Sequence, residues 1–554
     1  MMSDAATVAR ASSATDRTYA LGVGIVSLLA VIHIATWFGL LIGVHPGIPV
    51  LVISLALLGL LSRNIESDSA CRYGYGVLVP TVALLLFGLL SCYILDSSWD
   101  GLKYHQTAVL ELMSGWNPLK APLPDQIVLN SYPKASWLVG ASLASLFDSV
   151  EAMKAQNVAF VLAAGCLSFS TIRYLKPELC VWVAMAGATA VALNPVAIYQ
   201  GFTGYLDGLL GSQITCLVAL ATLSTLKHRL ASLSAFLLLI PYTLNLKFTA
   251  VPYLGVLWMA LFIVLAWRMR TGEIRSIAIP ALLACAIGIL VLGVNPYVRN
   301  MVDHGHIFYP IMGPGSVDVM HANVPIAFVG KSYGFKLVAG IFAAPIAWIH
   351  GDIEFFFPLF PSLSYFRAFD FADMRVGGFG PLFGAAVLVS IIGIALLRKL
   401  SVQQAAFIFV GIVIVISCLI NPESWWARYV PQLWLGVACF SLALVSSGSS
   451  IHRWFGISVV ALMLVNSLGI AAFSVRNNLY DSAYWKKSLT LLANRSDNSG
   501  HLRIYLGEHR ATWARLNAYD VRYVLVADSS SCVNGVPLLP EPKSWLSTAR
   551  ICSN

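Results

Sequence analysis

Apolar stretches of about 20 residues recur along most of this chain, and this pattern restricts its fold more than any other feature. A helix of that length spans the roughly 30 Å hydrocarbon layer of a bilayer. Strands of a membrane barrel would alternate apolar and polar residues, which these stretches do not. Charged residues make up only 11% of the chain, whereas soluble domains carry about a quarter. The sequence therefore predicts an α-helical polytopic membrane protein.

The positions of these stretches predict about thirteen membrane-spanning helices. Residues 1–19 precede the first stretch, are polar, and lack the short apolar core and cleavage site of a signal peptide. The expected spans are 20–43, 48–62, 74–95, 154–174, 179–199, 205–225, 231–245, 249–267, 276–294, 378–397, 404–420, 430–447 and 455–474.

Basic residues are concentrated in alternate short connections, such as Arg63 and Arg72 after the second predicted span and Arg173 and Lys176 after the fourth. The positive-inside bias places such connections in the cytoplasm. The N-terminus is then cytoplasmic, and the C-terminus lies on the outer side of the membrane. This placement accounts for much of the net charge of +9 without nucleic-acid binding.

Two long loops face outward in this topology, residues 96–153 and 295–377. In the first loop, Pro133 and Lys134 lead into an apolar stretch that ends at Phe147 and is short for a span, so we expect a helix lying in the membrane interface. The cytoplasmic connections are all short, and no glycine-rich phosphate loop with a lysine is present. ATP is therefore not expected to be the direct fuel of any activity.

The polar C-terminal segment predicts a second domain. We expect residues 1–474 to form the transmembrane module and residues 475–554 to form a small outward α/β domain. Within the latter, Leu502–Leu506 and Val521–Val526 are typical of short strands, and Thr512–Ala518 between them is typical of a helix.

The ten cysteines give little sign of metal or redox chemistry, because eight lie in or beside apolar stretches and none forms a CxxC pair. Cys532 and Cys552 lie in the polar C-terminal segment. An outward location would allow them to form a disulfide, and the sequence leaves this pairing open.

The most informative short segment begins where the third predicted span ends. It contains Asp96, Asp100, Tyr104 and His105, which places two carboxylates, a phenol and an imidazole at a membrane surface. Asp100 is our candidate general base, because Tyr104 and His105 follow it by about one helical turn. Asp96 is the second candidate, although an aspartate at such a position also serves as a helix cap.

Three cations occupy outward span ends, against the positive-inside trend: Lys247, Arg299 and Arg428. Charges at membrane depth are costly and usually functional, and phosphate is a suitable partner for them. Snorkelling is the alternative for Lys247. Asp207 in an outward turn is expected near Asp100, and Glu423 is expected either to contact substrate or to pair with Arg428.

Carboxylates suit the activation of an acceptor hydroxyl, and cations suit a lipid-linked phosphate or diphosphate at the leaflet surface. Together they indicate group transfer from a lipid-phosphate donor on the outer side of the membrane.

These segments resemble, in order and in topology, the motifs of the GT-C fold glycosyltransferases, especially the bacterial polytopic branch. The opening loop has Asp100-Gly101 where some subfamilies have an Asp-Glu pair. The resembling segments are Trp99-Asp100-Gly-Leu-Lys-Tyr104-His105, Ser131-Tyr-Pro133-Lys134, Asn245-Leu-Lys247-Phe-Thr249, Asn295-Pro-Tyr-Val-Arg299-Asn300 through Phe308-Tyr309-Pro310, Glu423 to Pro431, and Val521–Val526.

The resemblance implies a sugar donor linked to a polyprenyl phosphate, undecaprenyl in a bacterium, and inversion at the anomeric carbon with Asp100 as base. It implies that cations hold the phosphate and that further residues line the substrate site. The implied substrate-binding residues are Tyr104, His105, Lys134, Asp207, Lys247, Arg299, Asn300, Tyr309, Glu423 and Arg428.

The resemblance also implies a multi-pass protein of the bacterial inner membrane with its site on the periplasmic side. The acceptor is a protein, a lipid or an envelope glycan. No cofactor is certain, and a divalent cation such as Mg²⁺ or Mn²⁺ at the outward carboxylates stays open. The alternative functions are a lipid-linked saccharide polymerase or ligase and a flippase or transporter for a lipid-linked saccharide.

Overall fold

The computed structural model describes residues 2–65, 67–226, 229–267, 269–317, 323–347, 353–356 and 361–552. Most of them lie in helices that pack side by side, and the sheet is confined to the C-terminal end. The helices are α1 Met2–Ile42, α2 Ile48–Leu61, α3 Val79–Tyr93, α4 Gln106–Met113, α5 Ile127–Ser131, α6 Ala135–Phe147, α7 Ala155–Leu175, α8 Val181–Ala192, α9 Pro195–Gln200, α10 Asp207–Leu223, α11 Arg229–Leu244, α12 Ala250–Trp267, α13 Thr271–Glu273, α14 Ile279–Leu290, α15 Arg299–His304, α16 Tyr333–Phe342, α17 Leu363–Arg367, α18 Phe383–Ala395, α19 Val402–Leu419, α20 Leu433–Val445, α21 Ser450–Ser499 and α22 Thr512–Ala518.

Seven helical segments of the described chain are long and apolar enough to cross a membrane. They are Ser13–Ile42, Ala70–Tyr93, Val150–Leu175, Ala250–Trp267, Thr271–Leu290, Val402–Leu419 and Ser450–Asn498. Shorter apolar helices lie between them, so the prediction of a polytopic helical membrane protein is confirmed, while the count of thirteen spans stays a prediction. Each predicted span coincides with a helix, and the one expected over 179–199 is divided at Asn194, which caps the helix beginning at Pro195.

The centre of the helical module is α1, whose residues from Tyr19 to Ile32 are almost entirely buried. It packs against α2, α3, α6, α7 and α11. Small side chains on α7, including Ala159 and Ala163, allow the close approach of helices that membrane proteins favour. Tyr19 at the end of this core meets Ser232 in a hydrogen bond of 2.7 Å.

The long loop of residues 96–153 contains α4, α5 and α6. Residues from Ala135 to Ala144 of α6 are all buried against α1, α4 and the turn Val150–Lys154. The sequence predicts this helix at the membrane interface. Its side chains are instead covered by protein, which makes α6 a fixed support for the segment that precedes it.

Helix α21 continues without a break past residue 475, where the sequence places the boundary between the two domains. At about 1.5 Å per residue, its 50 residues reach roughly 75 Å. Its C-terminal part carries Trp485, Leu489 and Leu492, which pack with Ile504 in the core of the small domain. The same helix therefore serves both the membrane module and the C-terminal domain.

Four short strands form the sheet of this domain in the order β2-β1-β4-β3. They are β1 Leu502–Tyr505, β2 Tyr523–Leu525, β3 Val536–Pro537 and β4 Arg550–Ile551. β1 pairs with β2 in parallel, Leu502 opposite Tyr523, and α22 forms the crossover between them. The other two pairings are antiparallel. The predicted strands at 502–506 and 521–526 and the predicted helix at 512–518 are confirmed.

Cys532 and Cys552 form a disulfide, which resolves the pairing that the sequence left open. The bond closes a chain segment with a sequence separation of 20 residues and links the end of β4 to the turn before β3. Closing a loop of this length removes unfolded-state entropy equivalent to about 3 kcal/mol.

Replacement of Cys532 and Cys552 by alanine is expected to speed hydrogen exchange in β1 and β4 by roughly 100-fold, because about 3 kcal/mol of domain stability is lost. Mass-spectrometric hydrogen exchange of the purified protein measures this. Cys180→Ala, at an exposed free cysteine, is the control and leaves exchange unchanged. Unaltered exchange in the double variant would show that the disulfide does not stabilise the domain.

Candidate active site

Arg428 lies where three connecting segments meet, and its guanidinium binds three carboxylates. Its Nη2 donates to Asp100 Oδ2 at 2.8 Å, its Nε to Asp207 Oδ2 at 2.9 Å, and its Nη1 to Asp373 Oδ1 at 3.0 Å. Burial lowers the pKa of Arg428, but Asp207, Asp373 and Asp100 outweigh this effect and raise it well above its usual value. The guanidinium is therefore a permanent cation at the centre of the cluster.

Two further cations complete the cluster. Lys247 donates to Asp207 Oδ1, and Arg375 Nη2 lies 3.1 Å from Asp373 Oδ2. The cluster of Asp100, Asp207, Asp373, Lys247, Arg375 and Arg428, which we call the charge cluster, is formally neutral. Burial lowers the pKa of Lys247, and Asp207 opposes that shift. Because each charge has an opposite charge in direct contact, the cluster can lie in a largely buried position.

Aromatic rings form the walls around these cations. The Arg428 guanidinium carbon lies 4.3 Å from the centre of the Tyr205 ring and 5.1 Å from the Trp426 ring. Lys247 Nζ lies 4.5 Å from the centre of the Tyr429 ring. Cation–π contacts at these distances stabilise the charges without consuming their hydrogen-bond donors.

Exposure within the charge cluster is uneven. The side chains of Asp207 and Arg428 are 1% and 8% exposed, whereas Asp100, Lys247 and Asp373 are 19%, 19% and 21% exposed. A substrate can therefore reach Asp100, Asp373 and Lys247. Asp207 is buried beneath them and binds both Lys247 and Arg428.

The segment that carries Arg428 is the short 3₁₀ turn Ala427–Tyr429. Trp426 Nε1 donates to the carbonyl of Met374 at 2.9 Å, which ties this turn to the second outward loop near Asp373. On the other side, the hydroxyl of Tyr253 donates to the carbonyl of Tyr429 at 2.5 Å. These bonds fix the backbone from which the guanidinium extends.

Asp207 is the first residue of α10, and the side chain of Gln200 holds it. Gln200 Nε2 donates to Asp207 Oδ2 at 3.2 Å, while Gln200 Oε1 accepts from the Gly208 amide at 2.9 Å. A carboxylate at a helix N-terminus is favoured by the helix dipole. Position and charge of Asp207 are therefore set before any substrate arrives.

Asp96 has a different environment from Asp100. It is fully buried, and its two oxygens accept from the amides of Ser98 at 2.8 Å and Gly204 at 2.7 Å. Burial raises its pKa. A side chain added at Gly204 would approach the Gly101 Cα to 2.8 Å, so the two loops touch at this point. Asp96 thus joins the Asp100 loop to the Asp207 loop, and it does not lie on the exposed side of the charge cluster.

His105 lies beside the charge cluster and is neutral. Trp137 Nε1 donates to His105 Nδ1 at 2.8 Å, which leaves that nitrogen without a proton. Burial lowers the pKa of His105 from 6.5 to about 4, and nearby Asp100 and Asp207 only partly oppose this. The ring of Tyr104 packs on His105 with centroids 4.2 Å apart.

Four of the predicted substrate-binding residues lie outside the charge cluster, in a neighbouring group. Lys134 Nζ donates to Asn295 Oδ1 at 2.8 Å and to two carbonyls, and Arg299 Nη1 donates to the Pro118 carbonyl at 3.0 Å. Asn300 Nδ2 donates to the carbonyls of Ser131 and Tyr309. Burial lowers the pKa of Lys134 well below its usual value. Lys134, Arg299, Asn300 and Tyr309 therefore connect the loops of residues 96–153 and 295–377 in this structure.

Glu423 also lies apart from Arg428. Its Oε2 accepts from Lys336 Nζ at 3.2 Å and from Trp425 Nε1 at 2.5 Å. The pairing of Glu423 with Arg428, which the sequence left open, does not form. Glu423 instead joins α16 to the segment before Arg428.

Two residues of the charge cluster were not found from the sequence, Asp373 and Arg375. They lie in the second outward loop, with Arg375 4.3 Å above the ring of Trp426. The sequence contains one signal for them, an Asp-Met-Arg triplet in a loop rich in apolar and aromatic residues. Charged side chains in such surroundings need ion-pair partners when they are buried.

Two large cavities in the described part of the structure lie away from the charge cluster. One of about 640 Å³ is lined by apolar residues of α10, α11, α12, α14 and α19. Another of about 530 Å³ borders Arg299, Asn295 and Leu119. Among the residues that the structure describes, no group of three His, Cys, Asp or Glu side chains is arranged to hold a metal ion. The charge cluster is thus recognised by its pairing and not by a cavity.

Two solved structures are similar to this chain over most of its length, both of ArnT from Cupriavidus metallidurans. The structure bound to undecaprenyl phosphate has 14% sequence identity and a TM-score of 0.43 over 82% of this chain and 87% of that one. The apo structure has 13% identity and a TM-score of 0.44 over 82% and 86%. No protein-family model matches the sequence, and no curated protein matches it either. The function proposed below therefore rests on the residues of the site.

The lowered pKa of His105 predicts a loss of stability in mild acid. In the unfolded chain, the His105 imidazole takes up a proton near pH 6.5. In the folded protein, it stays neutral until about pH 4. The contribution of His105 to stability is therefore nearly constant above pH 6.5 and falls by about 2 kcal/mol by pH 5. His105→Asn is expected to lose less thermal stability between pH 7 and pH 5 than the native protein.

Melting curves in detergent at the two pH values measure this difference. His501→Asn, at an exposed histidine, is the control and keeps the native pH dependence. An equal drop in the melting temperature of the native protein and the His105 variant would contradict the neutral state of His105.

Proposed function

We propose that this chain is a membrane glycosyltransferase of the GT-C type. It transfers a sugar from a polyprenyl-phosphate donor to an acceptor hydroxyl on the periplasmic side of the bacterial inner membrane. The observation that carries the proposal is the convergence of Asp100, Lys247 and Arg428 from distant parts of the chain at one partly exposed point.

The cations of the charge cluster suit a phosphate group. Arg428 presents a planar fork of donors, which matches two oxygens of a phosphate as well as those of a carboxylate. Lys247 supplies a compact charge beside it, with one flank open. A phosphate monoanion entering here would replace Asp373 or Asp100 on the guanidinium and exchange one anion for another. Such an exchange leaves the Arg428 guanidinium with three anionic partners.

Asp100 is the proposed general base. Its carboxylate takes the proton of the acceptor hydroxyl as that oxygen forms a bond to the anomeric carbon. The bond between that carbon and the phosphate oxygen breaks on the opposite side, which inverts the configuration. The electron pair leaves with the polyprenyl phosphate, whose negative charge Lys247 and Arg428 stabilise. Tyr104 and neutral His105 form the wall beside Asp100.

Undecaprenyl phosphate is the lipid that the ligand-bound ArnT structure contains. We adopt undecaprenyl as the donor lipid of this chain, because it provides one phosphate and a tail that lies in the bilayer. The acceptor is a protein, lipid or envelope glycan that presents a hydroxyl group. A divalent cation at the carboxylates, which the sequence left open, would compete with the cationic side chains that already bind Asp100, Asp207 and Asp373.

A polymerase or ligase for lipid-linked saccharides is the second candidate, since its diphosphate donor would use the same cations. Three carboxylates already bind Arg428, and they repel a further anion. This arrangement favours a donor with a single phosphate over a donor with a diphosphate, which carries more negative charge. A flippase is a poorer fit, because the paired charges meet at one point in the connections between helices and do not follow a path along them.

Asp100→Asn is expected to reduce sugar transfer by about 10³-fold, since the amide cannot accept the proton. Mass spectrometry of envelope glycans, lipids and glycoproteins from cells with and without the native chain identifies the product. Cells that produce the variant should then resemble cells without the chain. Asp125→Asn, an exposed carboxylate in the same loop, is the matched control and keeps native product levels. Native product levels with the Asp100 variant at equal protein abundance would refute Asp100 as the base.

Asp373→Asn is expected to bind undecaprenyl phosphate about 10-fold more tightly, because it removes the anion that competes for Arg428. Titration of the protein in lipid nanodiscs with undecaprenyl phosphate measures the affinity. Asp370→Asn, three residues earlier and without a bond to Arg428, is the control and keeps the native affinity. If Asp373→Asn instead stops transfer while binding is retained, Asp373 and not Asp100 is the base.

A further inference from the structure

The C-terminal domain contacts the segment that carries Asp100 through a buried arginine. Arg515 on α22 is almost fully buried, and its Nε and Nη2 donate to Glu151 Oε1 at 3.2 and 2.7 Å. Nη2 also donates to the main-chain carbonyl of Asp96. The guanidinium carbon lies 4.7 Å from the centre of the Trp485 ring. Arg515 therefore ties α22 both to Glu151 and to the backbone at Asp96.

Glu151 extends this contact to both ends of the Asp100 segment. Its Oε2 accepts from the Asp96 amide at 3.1 Å and from Gln106 Nε2 at 3.1 Å. The same oxygen accepts from Lys154 Nζ at 2.6 Å. Residues 96 and 106 are therefore attached to one carboxylate. The residues between them include Asp100, Tyr104 and His105, which are held as a closed loop.

Three further contacts join the start of α22 to the middle of that loop. The Ala511 amide donates to the carbonyl of Leu102 at 3.1 Å. Lys103 Nζ lies 2.5 Å from Glu508 Oε2, and the rings of Trp99 and His509 lie 4.8 Å apart. The domain thus touches the residues on both sides of Asp100. It has no described bond to Asp100 itself.

Attachment of the domain to the membrane module does not need these charges. Leu95 and Leu102 already pack with Trp485, Leu489 and Ile504 in the core of the domain. Buried ion pairs are weak sources of stability when compared with apolar contacts, and their value is in geometry. A catalytic group displaced by about 1 Å loses about 100-fold in rate.

We propose that Arg515 is a positioning residue, through which the C-terminal domain holds the Asp96–Gln106 loop so that Asp100 stays in place for proton transfer. This proposal rests on the function proposed above for Asp100. The domain is then a working part of the active site, and an enzyme without it would retain the charges of the site but lose their alignment.

The test compares Arg515→Met, Arg515→Lys and the control Arg522→Met in the full-length protein. In the described part of the chain, the exposed side chain of Arg522 pairs with exposed Asp497 of the same domain. Hydrogen exchange of residues 97–106 is expected to rise at least 10-fold in Arg515→Met and to stay native in Arg522→Met, with α7 unchanged in both. Arg515→Lys keeps a cation for Glu151 but lacks the second donor that Arg515 Nε supplies to it, so its exchange is expected to be intermediate.

Transfer kinetics then separate positioning from simple destabilisation. In Arg515→Met, kcat is expected to fall about 100-fold while KM for the donor and the affinity for undecaprenyl phosphate change less than 3-fold. Arg515→Lys should recover part of kcat. Native exchange in residues 97–106, or native kcat, in a folded Arg515→Met protein would overturn the proposal. If Arg515→Met does not fold, native exchange in Arg515→Lys would overturn it.

The exchange measurement needs no substrate, so it tests the positioning role by itself. Failure of the proposed function gives a different result, in which the native protein does not bind undecaprenyl phosphate although residues 97–106 still respond to Arg515. The two failures are therefore distinguishable.

Discussion

The contact of one arginine with three carboxylates is the interaction on which this structure depends. Arg428 joins the loop of residues 96–153 through Asp100, the start of α10 through Asp207 and the loop of residues 295–377 through Asp373. A buried guanidinium without these partners would cost several kcal/mol, as would the carboxylates without it. The fold therefore has to bring all the segments to the same point, and in doing so it assembles the candidate active site.

A second buried group of charges supports the first. Glu151 binds Lys154 and Arg515 and holds the backbone at Asp96, whose carboxylate in turn binds the amide of Gly204. The Asp100 loop is thus held on its buried side by the Glu151 group and on its partly exposed side by the charge cluster, where we propose that substrate binds. Each group pairs its own charges, so the loop does not need substrate to keep its shape. This division explains why Asp96 and Asp100, only four residues apart, have such different environments.

The sequence predicted the parts of this structure that depend on local pattern. The apolar stretches gave the helices, and the alternation in residues 502–526 gave the strands and helix of the small domain, because period and length are local properties. Among the candidate residues, Asp100, Asp207, Lys247 and Arg428 do come together. Partner choice depends on tertiary distance, and for that reason the sequence did not reveal that Arg299 binds loop carbonyls or that Asp373 completes the cluster.

The neutral charge cluster also bears on how the proposed reaction begins. In the structure, Arg428 Nη2 donates to Asp100 Oδ2, so one oxygen of the proposed base already accepts a hydrogen bond. In the proposed reaction, a donor phosphate that takes over this guanidinium nitrogen leaves that oxygen free to accept the hydrogen of the acceptor hydroxyl. Binding of the donor would then uncover the proposed base, and transfer would depend on both substrates being present.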